Sequence, residues 1–202
     1  MTKLRPFTSI DAFRRAARAG SVKSGEAQIR AFVPTKLKAN PDSRTVDFTI
    51  STESIDRYGD TIRADGWRLE NYRRNPVVLW MHEATMLPVA RATKVWTERL
   101  TLKARTEFTP AGLVQFNDHI FDLLSDGFLN ATSVGFLPLK WAWVDEGERF
   151  GIDFIEQELL EFSVVTVPAN PEALVDARSA QSERLRKRRQ RELDLIEIRL
   201  GS

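Results

Sequence analysis

Residues 131–167 read ATSVGFLPLKWAWVDEGERFGIDFIEQELLEFSVVTV. The two ends of this stretch, 131–143 and 154–167, are rich in β-branched and aromatic residues, and the polar turn Asp145-Glu146-Gly147 lies between them. Such a composition on both sides of a turn predicts two β-strands that are neighbours along the chain. This pair of strands indicates a β-rich fold.

Shorter runs upstream of this pair have the same β-type composition. They are residues 29–33, 45–51, 77–82, 89–96 and 100–108, and turn residues separate them. One amphipathic helix interrupts the pattern, with Thr109 as its predicted cap, Pro110 as its first residue and Gly127 as its stop. Together these features predict a mainly β (α+β) fold, a small barrel or sandwich crossed by one packed helix.

The chain of 202 residues is long enough for one domain with tails. Ser9 is the predicted cap of a short N-terminal helix, and the glycines and serines of 20–25 predict a flexible joint after it. Beyond Pro171 the composition again favours a helix. The predicted organisation is a basic, partly helical N-terminal arm (1–27), a β domain (28–175) and a basic C-terminal helix or tail (176–202).

The charge of the chain is unevenly distributed although the net value is only +2. Residues 1–24 carry +5 and residues 183–191 carry another +5, so the rest of the chain carries −8. Basic ends on an acidic body suggest tails that contact a polyanion or an acidic partner protein. Ordinary solvated arms and helices have similar basic runs, and this second interpretation stays open.

Residue counts exclude several kinds of site. The chain has no cysteine, which removes disulfides and thiolate chemistry, and its two histidines, His82 and His119, are too few for a three-histidine zinc site. The N-terminus lacks an apolar signal segment, and no run approaches the ~18 apolar residues of a membrane span. We therefore expect a soluble cytoplasmic protein that does not contact membranes.

Familiar catalytic motifs are incomplete in this sequence. Residues 82–86 (HEATM) begin like a zinc-protease helix but have Met86 in place of the second histidine. Ser133 lacks the leading glycine of the α/β-hydrolase nucleophile turn. Phosphate-binding and dinucleotide-binding glycine motifs are absent as well. Neither a metal nor a cofactor is expected.

A serine, a histidine and a carboxylate remain as candidates for acyl transfer, which needs a hydroxyl, a base and a group that orients the base. His82 closes the apolar run 76–81, at a strand end where binding loops emerge. His119 lies between Asp118 and Asp122 on the polar edge of the predicted helix and fits an ordinary surface histidine. An ordinary strand-end histidine is also an open interpretation of His82.

Period-two alternation along the last predicted strand places Glu161 on one face with Leu159 and Val165. A carboxylate on an apolar face is costly unless it has a partner, and an imidazolium is one such partner. Ser133 shares its face with Ala131 and Gly135, whose small side chains leave room for a peptide carbonyl. An edge strand with Glu161 in water, and a Ser133 that is merely buried, would fit the same pattern.

Four segments occur in a specific order and spacing. They are residues 54–60 (SIDRYGD), 66–82 (GWRLENYRRNPVVLWMH), 133–136 (SVGF) and 160–173 (LEFSVVTVPANPEA). In this combination the sequence resembles the prohead (capsid maturation) proteases of tailed phages, which are related to the herpesvirus assemblin proteases. The resemblance extends from about Ala31 to Ala173.

The resemblance implies a serine endopeptidase with a closed or nearly closed antiparallel β-barrel flanked by helices, as in the herpesvirus proteases. Carried over by motif, Ser133 is the nucleophile, His82 the general base and Glu161 the group that orients His82. The herpesvirus relatives use a second histidine as the third member. The matching strand has no histidine here, so a carboxylate takes that place and His119 has no implied role.

The resemblance also implies the partners. The substrate would be scaffold protein or the scaffold-like segment of the major capsid protein, cleaved inside the immature shell in the host cytoplasm, with self-cleavage. The basic ends would bind scaffold or the capsid interior, a homodimer is suggested by the herpesvirus relatives, and nucleic acid is expected only at the basic ends. The alternative is a non-catalytic capsid-assembly or nucleic-acid-binding module. Such a module calls for a basic, aromatic-rich body, whereas the body here is acidic.

Overall fold

The computed structural model describes residues 9–25, 28–34, 37–56, 58–146 and 149–166. The predicted C-terminal helix and the basic run 184–191 lie outside the described residues, and the three predicted domain boundaries stay predictions. No helix in the described part of the chain combines the length and apolar character needed to cross a membrane.

The described residues are mainly β-strand with a few short helices. The strands are β1 (Ile29–Pro34), β2 (Leu37–Asn40), β3 (Thr45–Thr52), β4 (Thr61–Ile62), β5 (Trp67–Arg68), β6 (Val77–Trp80), β7 (Ala90–Glu98), β8 (Thr101–Phe108), β9 (Ala131–Glu146) and β10 (Arg149–Val165). The helices are α1 (Ile10–Arg18), α2 (Glu70–Arg74) and α3 (Gln115–Ser125). The long strands agree with the predicted runs, whereas the short elements β2, β4, β5 and α2 were not predicted.

All described strands belong to one strongly curled sheet, in the order β1-β9-β10-β6-β7-β8-β3-β2. The expectation of a closed or nearly closed antiparallel barrel is wrong about closure, and most but not all strand pairs are antiparallel. The sheet is a half-barrel, because β1 contacts β3 without a backbone ladder between these two described strands. It is also mixed, since one edge of β10 pairs in parallel with β4, β5 and β6 in turn.

A bulge in β10 interrupts the regular alternation of side chains that the sequence predicts. Leu159 is opposite Phe136 and Glu161 is opposite Gly135, so Leu160 is an extra residue on this strand. Leu159 therefore faces the apolar core together with Phe162. Glu161 lies on the other face, away from Leu159, instead of sharing its face as period two predicts.

The N-terminal helix α1 packs against the sheet through Phe13, which belongs to the apolar core. Its cap is Ser9 as predicted, with the Ser9 side chain accepting a hydrogen bond from the Ala12 amide at 3.2 Å. Phe13 is 1% exposed and meets Trp141 edge-on, with ring centroids 5.3 Å apart. In the predicted joint, Gly25 donates its amide to the carbonyl of Pro138 in β9. The described part of the N-terminal arm is thus attached to the β domain.

The segment 54–60 contributes to this attachment through Gly59 and Asp60. Asp60 is buried and accepts hydrogen bonds from Arg14 of α1 at 2.5 Å and from the Ile152 amide of β10 at 2.8 Å. Gly59 has a φ of +80°, and a Cβ on it would lie 2.3 Å from the carbonyl oxygen of Phe150. Asp60 therefore joins α1 to β10, and the close approach of the backbone to Phe150 requires glycine at position 59.

Helix α3 begins later than predicted. Thr109 is not its cap, because residues 111–113 form a turn and the helix starts at Gln115. The carboxylate of Asp118 binds this turn, accepting from the Gly112 amide at 2.9 Å and from Arg44 at 2.6 Å. Gly127, with a φ of +79°, follows the end of the helix as predicted.

Phe13→Ala is expected to lower the free energy of unfolding by about 3–5 kcal/mol, the usual cost of truncating a buried phenylalanine. Urea denaturation followed by circular dichroism measures the change. Phe128→Ala is the matched control, since Phe128 is 73% exposed and its truncation should change stability little. Equal effects of the two substitutions would mean that α1 does not pack on the sheet.

Candidate active site

The candidate site lies at the end of the sheet where β9, β10 and β6 meet. Ser133 of β9 is directly opposite Ser163 of β10, and Ser163 is in register with Leu79 of β6 on its other side. The register therefore brings three distant segments of sequence to one position. Glu161 precedes Ser163 by two residues on the same strand face.

The chain turns sharply where β6 ends, at Trp80. Met81 and His82 have φ values of +52° and +63°, a left-handed conformation that costs non-glycine residues about 1–2 kcal/mol each. The amide of Met81 donates to the carbonyl of Val164 at 3.0 Å, which holds the turn against β10. Residues 81 and 82 are thus a turn and not the last part of the strand, and the turn directs the His82 side chain over β10 and β9.

The three predicted site residues are brought together. Nε2 of His82 lies 2.5 Å from Oγ of Ser133, and Nδ1 lies 2.6 Å from Oε1 of Glu161. The side chains of His82 and Glu161 are only 4% and 9% exposed, and Ser133 is 0% exposed. The result is a continuous buried chain of hydrogen bonds from a hydroxyl through an imidazole to a carboxylate.

The Glu161 carboxylate determines which groups donate and which accept in this chain of hydrogen bonds. An ionised carboxylate only accepts, so Nδ1 of His82 donates its proton to Glu161. Nε2 is then the lone-pair nitrogen and accepts the hydroxyl proton of Ser133. This is the tautomer in which an imidazole can take a proton from a serine nucleophile.

Two further residues that were not predicted contact His82. The hydroxyl of Ser163 accepts the backbone N–H of His82 at 3.1 Å and donates to Oε2 of Glu161 at 2.8 Å. The guanidinium of Arg30 in β1 donates to the backbone carbonyl of His82 at 3.3 Å. Period two along β10 could have placed Ser163 beside Glu161. No local signal connects Arg30 with a residue 52 positions away.

His119, the other histidine, is exposed on α3. The prediction that His119 is a surface residue agrees with this position, and the role of His82 stays a prediction.

The Glu161 carboxylate also influences Tyr72 of α2. Burial, first, and the negative charge of Glu161, second, raise the pKa of the Tyr72 hydroxyl far above its usual value. The same hydroxyl donates to the carbonyl of Val77 at 3.0 Å, at the start of β6. Tyr72 thus anchors the strand that leads to His82.

A family profile covers this site. Residues 73–189, more than half of the chain, match the sequence profile of the Caudovirus prohead serine protease family. The chain belongs to this family. The resemblance noted in the sequence is thereby confirmed, and the matched range of the family includes Ser133, His82 and Glu161.

Two curated phage proteins are similar to the chain over part of their length. The prohead protease of Escherichia phage T5 is 32% identical over 127 residues, which cover 61% of this chain and 57% of that protein. The capsid polyprotein of Pseudomonas phage PAJU2 is 26% identical over 151 residues, which cover 72% of this chain and 22% of that protein. The chain therefore spans less than two thirds of either curated relative.

A solved structure is also similar to this member of the family. The bacteriophage T4 capsid assembly protease superposes with a TM-score of 0.49 at 9% identity, covering 69% of this chain and 99% of that chain.

Tyr72 is expected not to ionise while the protein is folded. Of the two tyrosines in the chain, only Tyr72 is buried, so the absorbance of tyrosinate can be compared between wild type and Tyr72→Phe during an alkaline titration. The two titrations should coincide until circular dichroism reports unfolding, and should differ by one tyrosine afterwards. A Tyr72-dependent signal in the folded protein would contradict the burial and the nearby charge.

Proposed function

We propose that this chain is a serine endopeptidase of prohead maturation. The observation that carries the proposal is the hydrogen-bond chain from Ser133 through His82 to Glu161. Membership of the prohead serine protease family supports it independently of the geometry. A finer part of the proposal is that the third member is a carboxylate, where the related herpesvirus proteases have a second histidine.

In the proposed mechanism, Oγ of Ser133 attacks the carbonyl carbon of the scissile peptide while Nε2 of His82 takes the hydroxyl proton. His82 then gives this proton to the nitrogen of the leaving amine, and an acyl-enzyme remains on Ser133. Water, deprotonated by the same nitrogen, hydrolyses the ester. Glu161 holds the imidazole in the required tautomer and stabilises its protonated form throughout.

Access to Ser133 requires movement of the residues around it. Ser133 has no exposed surface, and its hydroxyl also lies 3.3 Å from the carbonyl oxygen of Ala31 in β1. A substrate carbonyl has to come within about 3–3.5 Å of the nucleophile before reaction. The conformation described is therefore a resting state that opens before a peptide binds.

The proposed substrates are scaffold protein or the scaffold-like segment of the major capsid protein, cleaved inside assembling proheads in the host cell, together with self-cleavage. The names of the relatives, a prohead protease and a capsid polyprotein, support this substrate class. A homodimer, contact of the basic ends with nucleic acid, and a fold shared with the herpesvirus proteases belong to the same proposal.

The rival proposal is a non-catalytic capsid-assembly or nucleic-acid-binding module. A docking module gains nothing from a buried carboxylate, because burying the charge costs free energy that a surface contact does not recover. The ordered pairing of Glu161 with His82 and of His82 with Ser133 therefore favours the enzyme.

Ser133→Ala and His82→Ala are expected to abolish cleavage of the cognate major capsid or scaffold protein upon co-expression. Glu161→Gln should lower the rate by about 10²–10⁴-fold, because the amide no longer favours the required tautomer.

Gel analysis and intact mass of capsid protein, and of this chain's own termini, measure substrate cleavage and self-cleavage together. Ser51→Ala and His119→Ala, at a buried and an exposed position, are controls that should keep wild-type rates. Continued cleavage by Ser133→Ala would exclude the mechanism.

Neutralising the basic run 184–191 with glutamine is expected to reduce incorporation of the chain into proheads. The N-terminal contribution is tested by neutralising Lys3 and Arg5, because deletion of residues 1–27 would also remove the buried Phe13. The control neutralises Arg68, Arg91 and Arg105, whose exposed ion pairs contribute little to stability. Unchanged incorporation after both terminal neutralisations would rule out the packaging role of the basic ends.

A further inference from the structure

We propose that Ser163 and Arg30 are positioning residues that hold the backbone of His82 from both sides. The inference rests on the proposed function, since it concerns how the imidazole is aimed at Ser133. Neither residue reaches the reacting atoms through the contacts described. Both act through His82, and Ser163 acts through Glu161 as well.

Ser163 makes polar contacts with the backbone of His82 and with the side chains of both His82 and Glu161. Its Oγ accepts the N–H of His82 at 3.1 Å, donates to Oε2 of Glu161 at 2.8 Å and lies 3.4 Å from Nδ1 of His82. A serine hydroxyl has one proton to donate, and the carboxylate is the strongest nearby acceptor. One hydroxyl therefore fixes the carboxylate oxygen that His82 does not use, and the backbone from which the imidazole extends.

Arg30 contacts the next peptide group, on the C-terminal side of the His82 Cα atom. Its Nη2 donates to the carbonyl oxygen of His82 at 3.3 Å from β1, which pairs with β9. The N–H and the C=O of His82 are thus both held, by β10 and by β1. The positive φ of His82 makes this holding necessary, because a left-handed non-glycine residue relaxes unless its surroundings prevent it.

A simple packing role does not account for Ser163. Ser51 in β3 is buried to the same extent, yet within the described structure its hydroxyl has no hydrogen-bond partner. This sheet therefore accepts a buried serine as a small filler. Ser163 differs because each of its contacts involves His82 or the carboxylate that binds His82.

The kinetic test compares Ser163→Ala with Ser51→Ala, the same substitution at a similarly buried position of the same sheet. Ser163→Ala is expected to lower kcat about 10–100-fold with KM within about twofold, because a small displacement of His82 slows proton transfer without removing a substrate contact. Ser51→Ala should retain wild-type kcat. Arg30→Met should lower kcat about tenfold, and Arg30→Lys, which keeps a donor, should recover most of the loss.

The spectroscopic test needs no substrate. The proton that Nδ1 of His82 donates to Glu161 gives a downfield NMR signal, and exposed His119 is the only other histidine and an internal reference. In Ser163→Ala this signal should move upfield and exchange faster with water, while Ser51→Ala leaves it unchanged. A purely structural Ser163 would give a wild-type signal and a wild-type kcat in every folded variant, and that result would overturn the inference.

The outcomes separate this inference from the proposed function. If wild type cleaves capsid or scaffold protein and Ser163→Ala and Arg30→Met cleave equally fast, the positioning roles are wrong and the protease assignment stands. If wild type cleaves nothing while Ser163→Ala shifts the imidazole signal, the two residues position His82 and the protease assignment is wrong. If Ser163→Ala does not fold, the Arg30 pair of variants decides the positioning role by the same two measurements.

Discussion

Strand β10 forms hydrogen bonds along both of its edges, and the site depends on this double pairing. One edge pairs with β9 from Glu146 to Ala131, and the other edge pairs in parallel with β4, β5 and β6. The antiparallel ladder sets the distance from Ser133 to Glu161, and the parallel ladder sets where the turn with His82 begins. The bulge at Leu160 completes the arrangement, because without it the carboxylate would face the core.

The buried polar cluster is stable only as a set. A carboxylate and an imidazole removed from water lose hydration that must be replaced by hydrogen bonds. Glu161 accepts hydrogen bonds from His82 and Ser163, and His82 in turn accepts a hydrogen bond from the hydroxyl of Ser133. Removing one member leaves a neighbour buried without its partner, which is more costly than the loss of one average hydrogen bond. For the same reason the positions of these side chains are tightly restricted, since no member can move without breaking a hydrogen bond.

Much of the fold, and Ser133, His82 and Glu161 as candidates, could be read from local patterns, whereas the roles predicted for these three residues came from the resemblance. The β-type runs, the cap at Ser9, the surface position of His119 and the shared face of Ser133 and Gly135 depend on nearest neighbours along the chain. The open, mixed sheet could not be predicted in this way, because parallel pairing and curvature depend on contacts between distant strands. The bulge at Leu160 was not predicted, because strict alternation of side chains assumes a regular strand ladder. The contact of Arg30 with His82 was not predicted either, because it depends on the order of the strands in the sheet and is not part of a sequence motif.

The position of β10 along the chain has a consequence for synthesis. It is the last strand of the described chain, and it carries Glu161 and Ser163 and receives β6 beside Ser133. A growing polypeptide already contains Ser133 and His82 when residue 150 leaves the ribosome, but it has neither the carboxylate nor the strand that brings the two together. The hydrogen-bonded set of Ser133, His82 and Glu161 therefore does not exist in any nascent chain that has not passed Glu161. A chain terminated before that point contains the serine and the histidine as two unconnected side chains.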